Sequence, residues 1–300
     1  MGRVLTAATL RGVYSAIVTP FRADETIDEP ALRKQTEYVV ENGCHAIMAT
    51  GGTGEFPHMS REERKQATAI IVDQAGGRIP VIGGTAGCST REAIFLSQDA
   101  QEVGAAAVIL TPTYYFKIPE AGLRQHFIDV ANAVDVPVIV YNNPLYTGNP
   151  LSPALIADIL RHPNVIGSKQ SQDDMGHLVE TLRITGDDVS VNTGIDSQFY
   201  PALCVGAKGI FSTASCVIPR LMVDIYEHFV AGRHEEAREL HMKVQVLNRF
   251  LEYDPGYVAP AKEALEMLGI PCGAPRRPLP SLTAEQRAGL RGALRELWLL

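Results

Sequence analysis

Lys169 closes the apolar run Val165-Ile166-Gly167-Ser168-Lys169 and has no acidic residue within three positions on either side. A lysine at the inner end of a buried strand loses hydration, which favours the neutral amine and makes it a nucleophile toward carbonyl carbon. The chemistry that follows is imine formation. A strand-end lysine can equally snorkel to solvent, so the residues around it have to decide. Tyr141 ends the apolar run before it, where a phenol can relay protons for an imine or simply pack. Another run leads into Gly51-Gly52-Thr53-Gly54, whose glycines either bring backbone N–H groups close to a carboxylate or make a plain strand-to-helix turn. Tyr114-Tyr115-Phe116 is an aromatic loop suited to capping, to an oligomer contact or to chemistry.

Other chemistries find less in the chain. A metal-dependent lyase needs two or three His or carboxylate ligands at strand ends, and none of the eight histidines ends a strand, so no metal is expected. His234 and His241, seven apart, read as a solvated helix face, and Arg61-Glu62-Glu63-Arg64 as an exposed helix turn. The first apolar run is followed by Thr19-Pro20-Phe21 rather than a Gly-rich dinucleotide turn, and no cofactor is expected. Residues 193–198 and 212–216 carry no basic side chain for a phosphate, which favours carboxylate substrates.

Something must position these residues. Eight short apolar runs, Val13–Val18, His45–Ala49, Pro80–Gly83, Ala106–Leu110, Val136–Tyr141, Val165–Lys169, Val189–Asn192 and Gly209–Phe211, alternate with segments of helical period. Ser60 to Glu63 matches a capping box, Thr90 precedes a helix over Arg91–Val103, and Ser152-Pro153 opens another. Continuous apolar strands alternating with amphipathic helices predict a parallel sheet, and eight units predict a (β/α)8 barrel with its active site at the C-terminal strand ends. Past residue 218 only helices are expected, over Leu221–Val230, Glu235–Glu252, Val258–Leu268 and Ala284–Leu297. The expected organisation is a catalytic barrel over residues 1–220 and a C-terminal helical extension over 221–300. The chain has 300 residues, 46% hydrophobic, with net charge −7, which speaks against nucleic acid as a partner. Five cysteines without CxxC spacing suggest free thiols. With no signal-peptide core at Met1–Ala8 and no apolar run long enough to span a bilayer, a cytoplasmic protein without membrane contact is expected.

Gly52-Thr53-Gly54-Glu55, Tyr141-Asn142-x-Pro144 with Thr147-Gly148, Gly167-x-Lys169 and Gly194-x-Asp196, in this order, resemble the dihydrodipicolinate synthase and N-acetylneuraminate lyase family over about residues 10 to 270. The resemblance implies a metal-independent class I aldolase with a barrel, a helical extension and a homotetramer built as a dimer of dimers. It implies that Lys169 forms the imine with the C2 carbonyl of pyruvate or another 2-oxo acid and that Tyr141 relays protons. Thr53, with the backbone of Gly52 and Gly54, would hold the carboxylate. Tyr115 would enter the neighbouring subunit's site.

Two departures bear on the substrate. Members that condense pyruvate with aspartate semialdehyde carry a second threonine where this chain has Gly52, and an arginine where it has Tyr146. Loss of that guanidinium removes a charged hydrogen bond worth about 1.5–3 kcal/mol to a carboxylate-bearing aldehyde. Asn143, Tyr146, Ser171 and Gln172, with Gly194 nearby, suit a polyhydroxy chain instead. The expectation is therefore cleavage or formation of a 2-keto-3-deoxy acid from pyruvate and an aldehyde. The alternatives are dihydrodipicolinate synthase, a 2-keto-3-deoxy sugar acid dehydratase, and a barrel that binds a 2-oxo acid without turning it over.

Overall fold

Strands that are largely apolar must be covered on both faces, and here they are. In a computed structural model, which describes residues 5–252 and 256–300, eight parallel strands close a barrel in sequence order. They are β1 (Gly12–Ala16), β2 (Ala46–Ala49), β3 (Val81–Gly84), β4 (Ala107–Leu110), β5 (Val138–Asn142), β6 (Val165–Gln170), β7 (Ser190–Thr193) and β8 (Gly209–Ser212). Almost every strand residue is buried. Inward side chains such as Tyr14, Met48, Ile82, Ile109, Ile139 and Phe211 form one cluster, while residues alternating with them pack under the outer helices. β8 closes on β1 through Gly12↔Gly209 to Ser15↔Ser212.

One irregularity in this sheet matters for chemistry. Between β5 and β6, Val138 pairs with Val165 but Ile139 pairs with Gly167, so β6 carries one extra residue. In an unbroken register Tyr141 would face Ser168. The shift puts Tyr141 beside Lys169 instead.

The helix starts follow their local chemistry. Ser60 accepts from Glu63 N, and Glu63 returns the bond to Ser60 N, the reciprocal capping box expected there. Ser152 caps Pro153–Ile159. The third barrel helix begins one residue earlier than expected: Ser89, not Thr90, caps it through Glu92 N, and Thr90 is its first residue. After β8 come Pro219–Val230, His234–Glu252, Val258–Met267 and Ala284–Glu296, close to the expected bounds. None of the described helices is long and apolar enough to cross a membrane. The first four residues of the segment read for an export signal lie outside the described residues.

Two expectations about exposed charge fail. Arg64 is buried, because its guanidinium turns inward to the carbonyls of Ala86 and Gly84 at 2.9 and 2.8 Å. His241 is buried too, its ring 6.0 Å from that of Tyr200, and burial lowers its proton affinity, whereas His234 stays exposed.

Candidate active site

Lys169 is 5% exposed, with Nζ 4.1 Å from the centre of the Tyr141 ring and 5.7 Å from that of Phe211. It makes no ion pair among the described residues. Room for it comes from β7, where a side chain at Gly194 would collide with Cε of Lys169 at 2.4 Å and Oγ of Ser171 at 2.1 Å. Gly194 therefore serves the lysine by being absent from its space. The Tyr141 hydroxyl accepts from Asn143 Nδ2 at 2.9 Å, which leaves its own O–H free to donate into the cleft.

The turn after β2 supplies the facing wall. Thr50 (φ 48°) and Glu55 (φ 61°), neither a glycine, adopt left-handed backbone at its two ends, a conformation that persists only where the surroundings impose it. Within the turn, Thr19 Oγ1 holds the Gly54 carbonyl at 2.7 Å, and Thr53 Oγ1 meets Thr213 Oγ1 at 3.0 Å. Buried Glu55 pairs at 2.5 Å with Lys262, itself buried on the helix Val258–Met267, and accepts from the Arg276 backbone N–H at 2.8 Å. Nζ of Lys262 also lies 4.4 Å from the centre of the Phe21 ring. Residues from the far end of the chain thus pin the strained turn.

These walls enclose a cleft of about 330 Å³ that contains Thr53, Tyr141, Asn143, Tyr146, Lys169 and Gly194 together. The expected residues converge, with two exceptions: Gly54 is buried behind the wall with its carbonyl on Thr19, and Tyr115 is 89% exposed with φ 81°, while Tyr114 lines an adjoining chamber of about 380 Å³ behind Tyr141. Ser171 and Gln172 also reach the cleft. Lys169 is the only Lys or Arg among the described residues lining it.

Three contributors were not singled out from the sequence. Asp196 is buried below the lysine, accepting from the Thr213 and Ala214 backbone N–H groups at 3.1 and 3.0 Å and from the Ser212 hydroxyl. Burial pushes its carboxyl up despite these bonds and the opposing pull of Lys169. Glu252, held by Ser197 N at 2.7 Å, is pushed up to about 7, first by burial and then by neighbouring Asp196. Tyr257 stands edge-on to Tyr146, ring centres 6.1 Å apart. Asp196 at least sat in a strand-end motif; Glu252 and Tyr257 come from helical segments that offered no signal of the cleft. No three His, Cys or carboxylate side chains among the described residues gather as a metal-binding group.

Comparison with known proteins bears on this geometry. The model of the dihydrodipicolinate synthetase family matches residues 9–297. The chain is 35% identical to 4-hydroxy-tetrahydrodipicolinate synthase of Methanospirillum hungatei, over 94% of this chain and 98% of the relative. The crystal structure of dihydrodipicolinate synthase from Aquifex aeolicus superposes with a TM-score of 0.92 at 35% identity, covering 97% of this chain and 99% of that one. A pyruvate complex of an E. coli K12 prophage protein of the same family superposes at 0.93 with 29% identity, covering 97% and 99%. The relatives' names agree with the synthase reading, placed second from the sequence, better than with the sugar-acid reading placed first. Matched along nearly its whole length, the chain belongs to the dihydrodipicolinate synthetase family and is a lyase of the class I aldolase type.

Proposed function

We propose that Lys169 forms an imine with the C2 carbonyl of pyruvate or a related 2-oxo acid, and that the derived enamine makes or breaks a C–C bond with an aldehyde. The observation that carries this is the buried, unpaired Lys169 amine beside Tyr141, in the space that Gly194 leaves open. The amine adds to the carbonyl carbon, and the carbinolamine oxygen takes a proton and leaves as water. The Tyr141 hydroxyl, oriented by Asn143, is placed to supply that proton and later to serve the C3 proton transfer. Thr53, held by Thr213, and the backbone of the turn at Gly52 and Gly54 would receive the carboxylate. The enamine carbon then attacks the aldehyde, whose oxygen takes up a proton, and water hydrolyses the product imine. Cleavage runs the same steps backward.

Two aldehydes remain, each with its own support. Aspartate semialdehyde, and with it the synthase reaction, is the first reading, because full-length relatives bear that name. A polyhydroxy aldehyde is the second. It is supported by a cleft whose only Lys or Arg among the described residues is Lys169 and whose outer wall is Tyr146, Gln172 and the carboxyl of Glu252, so that among those residues an aldehyde carboxylate finds no guanidinium. Borohydride reduction in the presence of pyruvate should fix a stable mass on Lys169, and its absence there would sink the imine. Turnover of aspartate semialdehyde against 2-keto-3-deoxygluconate then separates the two aldehydes. Assembly belongs to this proposal as well. Tyr115, Phe116 and Leu145 expose a large apolar rim beside the mouth, suited to burial against a second copy, and light scattering should show a tetramer.

A further inference from the structure

Gly52 is a hole in the wall of the cleft, and one atom fills it. A Cβ built there would lie 2.3 Å from the Tyr257 hydroxyl and 3.5 Å from the ring carbon that bears it. Only the hydroxyl is in the way. Tyr257 lines both the lysine cleft and the chamber behind it, as do Tyr141 and Asn143, so its oxygen stands at the junction of the two. Its place is set from the extension: Tyr257 precedes the helix whose Lys262 is locked to Glu55, the last residue of the turn that contains Gly52. Turn and helix are thus joined at two points, one an ion pair and one this close approach.

The geometry points to Tyr257 as a positioning residue for the reaction, its hydroxyl handing protons to Tyr141 from the space that a side chain at position 52 would otherwise fill. This rests on the imine reading above. Tyr141 gives up a proton when the carbinolamine oxygen leaves as water and takes one back from C3 when the enamine forms, and that proton must be exchanged with solvent for deuterium to enter the substrate. Asn143 only donates to the Tyr141 oxygen and cannot carry that exchange. The Tyr257 hydroxyl lines the same two cavities as Tyr141 and can do so through water held between them: it passes a proton toward Tyr141 and recovers one from the adjoining chamber, so charge is conserved. Burial, reinforced by the phenols of Tyr141 and Tyr146, holds the Tyr257 proton well above the ordinary tyrosine range. The residue therefore acts as a neutral hydroxyl at neutral pH. Packing alone would be served equally by a phenylalanine at position 257, which is what makes the hydroxyl beside Gly52 informative.

The test needs no aldehyde. Deuterium uptake from D2O into the methyl group of pyruvate reports imine and enamine formation alone. Tyr257→Phe should slow this exchange by at least about tenfold, with the melting temperature unchanged and borohydride still labelling Lys169 at long times. Gly52→Thr in the Tyr257→Phe background fits, because the clashing oxygen is gone, and should restore exchange to within about threefold by returning a hydroxyl to the same space. Gly52→Ala in the otherwise unchanged protein displaces the phenol oxygen and should slow exchange as Tyr257→Phe does. This second variant decides the matter if Tyr257→Phe fails to fold. Unchanged exchange in Tyr257→Phe or, failing that, in Gly52→Ala overturns the inference, as does failure of Gly52→Thr to rescue a folded Tyr257→Phe protein. No borohydride adduct in the parent protein would overturn the imine reading instead.

Discussion

The inner and outer halves of the cleft are built differently. Tyr141 and Lys169 pair on adjacent strands of a closed barrel, Gly194 follows β7 directly, and Thr53 stands in the pinned turn after β2. The outer half, with Tyr146, Gln172, Glu252 and Tyr257, stands on loops and helix ends, and two of the four come from beyond the eighth strand. Imine chemistry needs sub-ångström placement of an amine against a phenol, and the barrel provides it. Recognition of the aldehyde needs only a replaceable lining. Variation on such a fold is therefore expected in the outer half, where Tyr146 departs from the synthase pattern.

The comparison breaks first if the inner half is not the seat of the reaction. Lys169→Met should lower turnover on the order of 10⁴-fold or more and abolish borohydride labelling, since no other amine lines the cleft among the described residues. Retained labelling elsewhere in the protein would move the chemistry off β6. Next comes the seam between the halves. Lys262→Met leaves the carboxylate of Glu55 buried with one backbone donor and the His58 Nδ1 at 3.6 Å, and removing one member of a buried pair costs about 3–5 kcal/mol. Urea unfolding should show that loss, and pyruvate binding should weaken in the fraction that stays folded. A change under 1 kcal/mol would mean that the turn after β2 holds itself.

The two halves also differ in what the sequence disclosed. All eight strands were legible as short, largely apolar runs between helical segments, though β7 is polar at three of its four positions, and Lys169 and Tyr141 could be placed as strand ends on adjacent strands. The extra residue on β6 was not visible, yet it is what turns Lys169 rather than Ser168 toward Tyr141. Contacts made across the whole chain left no local trace. Arg276 and Glu55 are 221 residues apart, and nothing near either one predicts the bond. Arg64 shows the same limit at short range: Arg61-Glu62-Glu63-Arg64 reads as a solvated turn, and only the packing of its helix on β3 reveals which of the four points inward. Tyr257 and Glu252 were missed for the reason Arg276 was, since their function depends on where a helix returns.

Glu252 sharpens the comparison through pH. Its carboxyl is raised to about 7 in the folded protein from 4.5, so between those values the folded state keeps a proton that the unfolded chain has released. Stability contributed by the neutral form is present below pH 4.5 and is lost as pH rises through 7. The loss at pH 8 is on the order of 2–3 kcal/mol. Glu252→Gln should therefore raise the unfolding free energy at pH 8 and leave it unchanged at pH 4.5. Equal effects at both values would show that the carboxyl ionises normally and that the outer wall carries a charge at neutral pH.

The smallest effect is the one that decides the substrate. Tyr146 is 60% exposed at the cleft mouth, so a guanidinium placed there would be partly solvated and would deliver less than a pre-organised charged hydrogen bond. About 1.4 kcal/mol, or tenfold in kcat/KM, is the expected gain for aspartate semialdehyde in Tyr146→Arg if the parent protein lacks a carboxylate partner. A polyhydroxy aldehyde should lose a comparable factor, because the arginine displaces the phenol without replacing its acceptor. If the parent already turns over aspartate semialdehyde efficiently and Tyr146→Arg changes neither substrate, then another group must bind its carboxylate. The candidates are then backbone N–H groups of the loops around Asn143 and Gln172, and the outer half would be recognising charge with dipoles rather than with a cation.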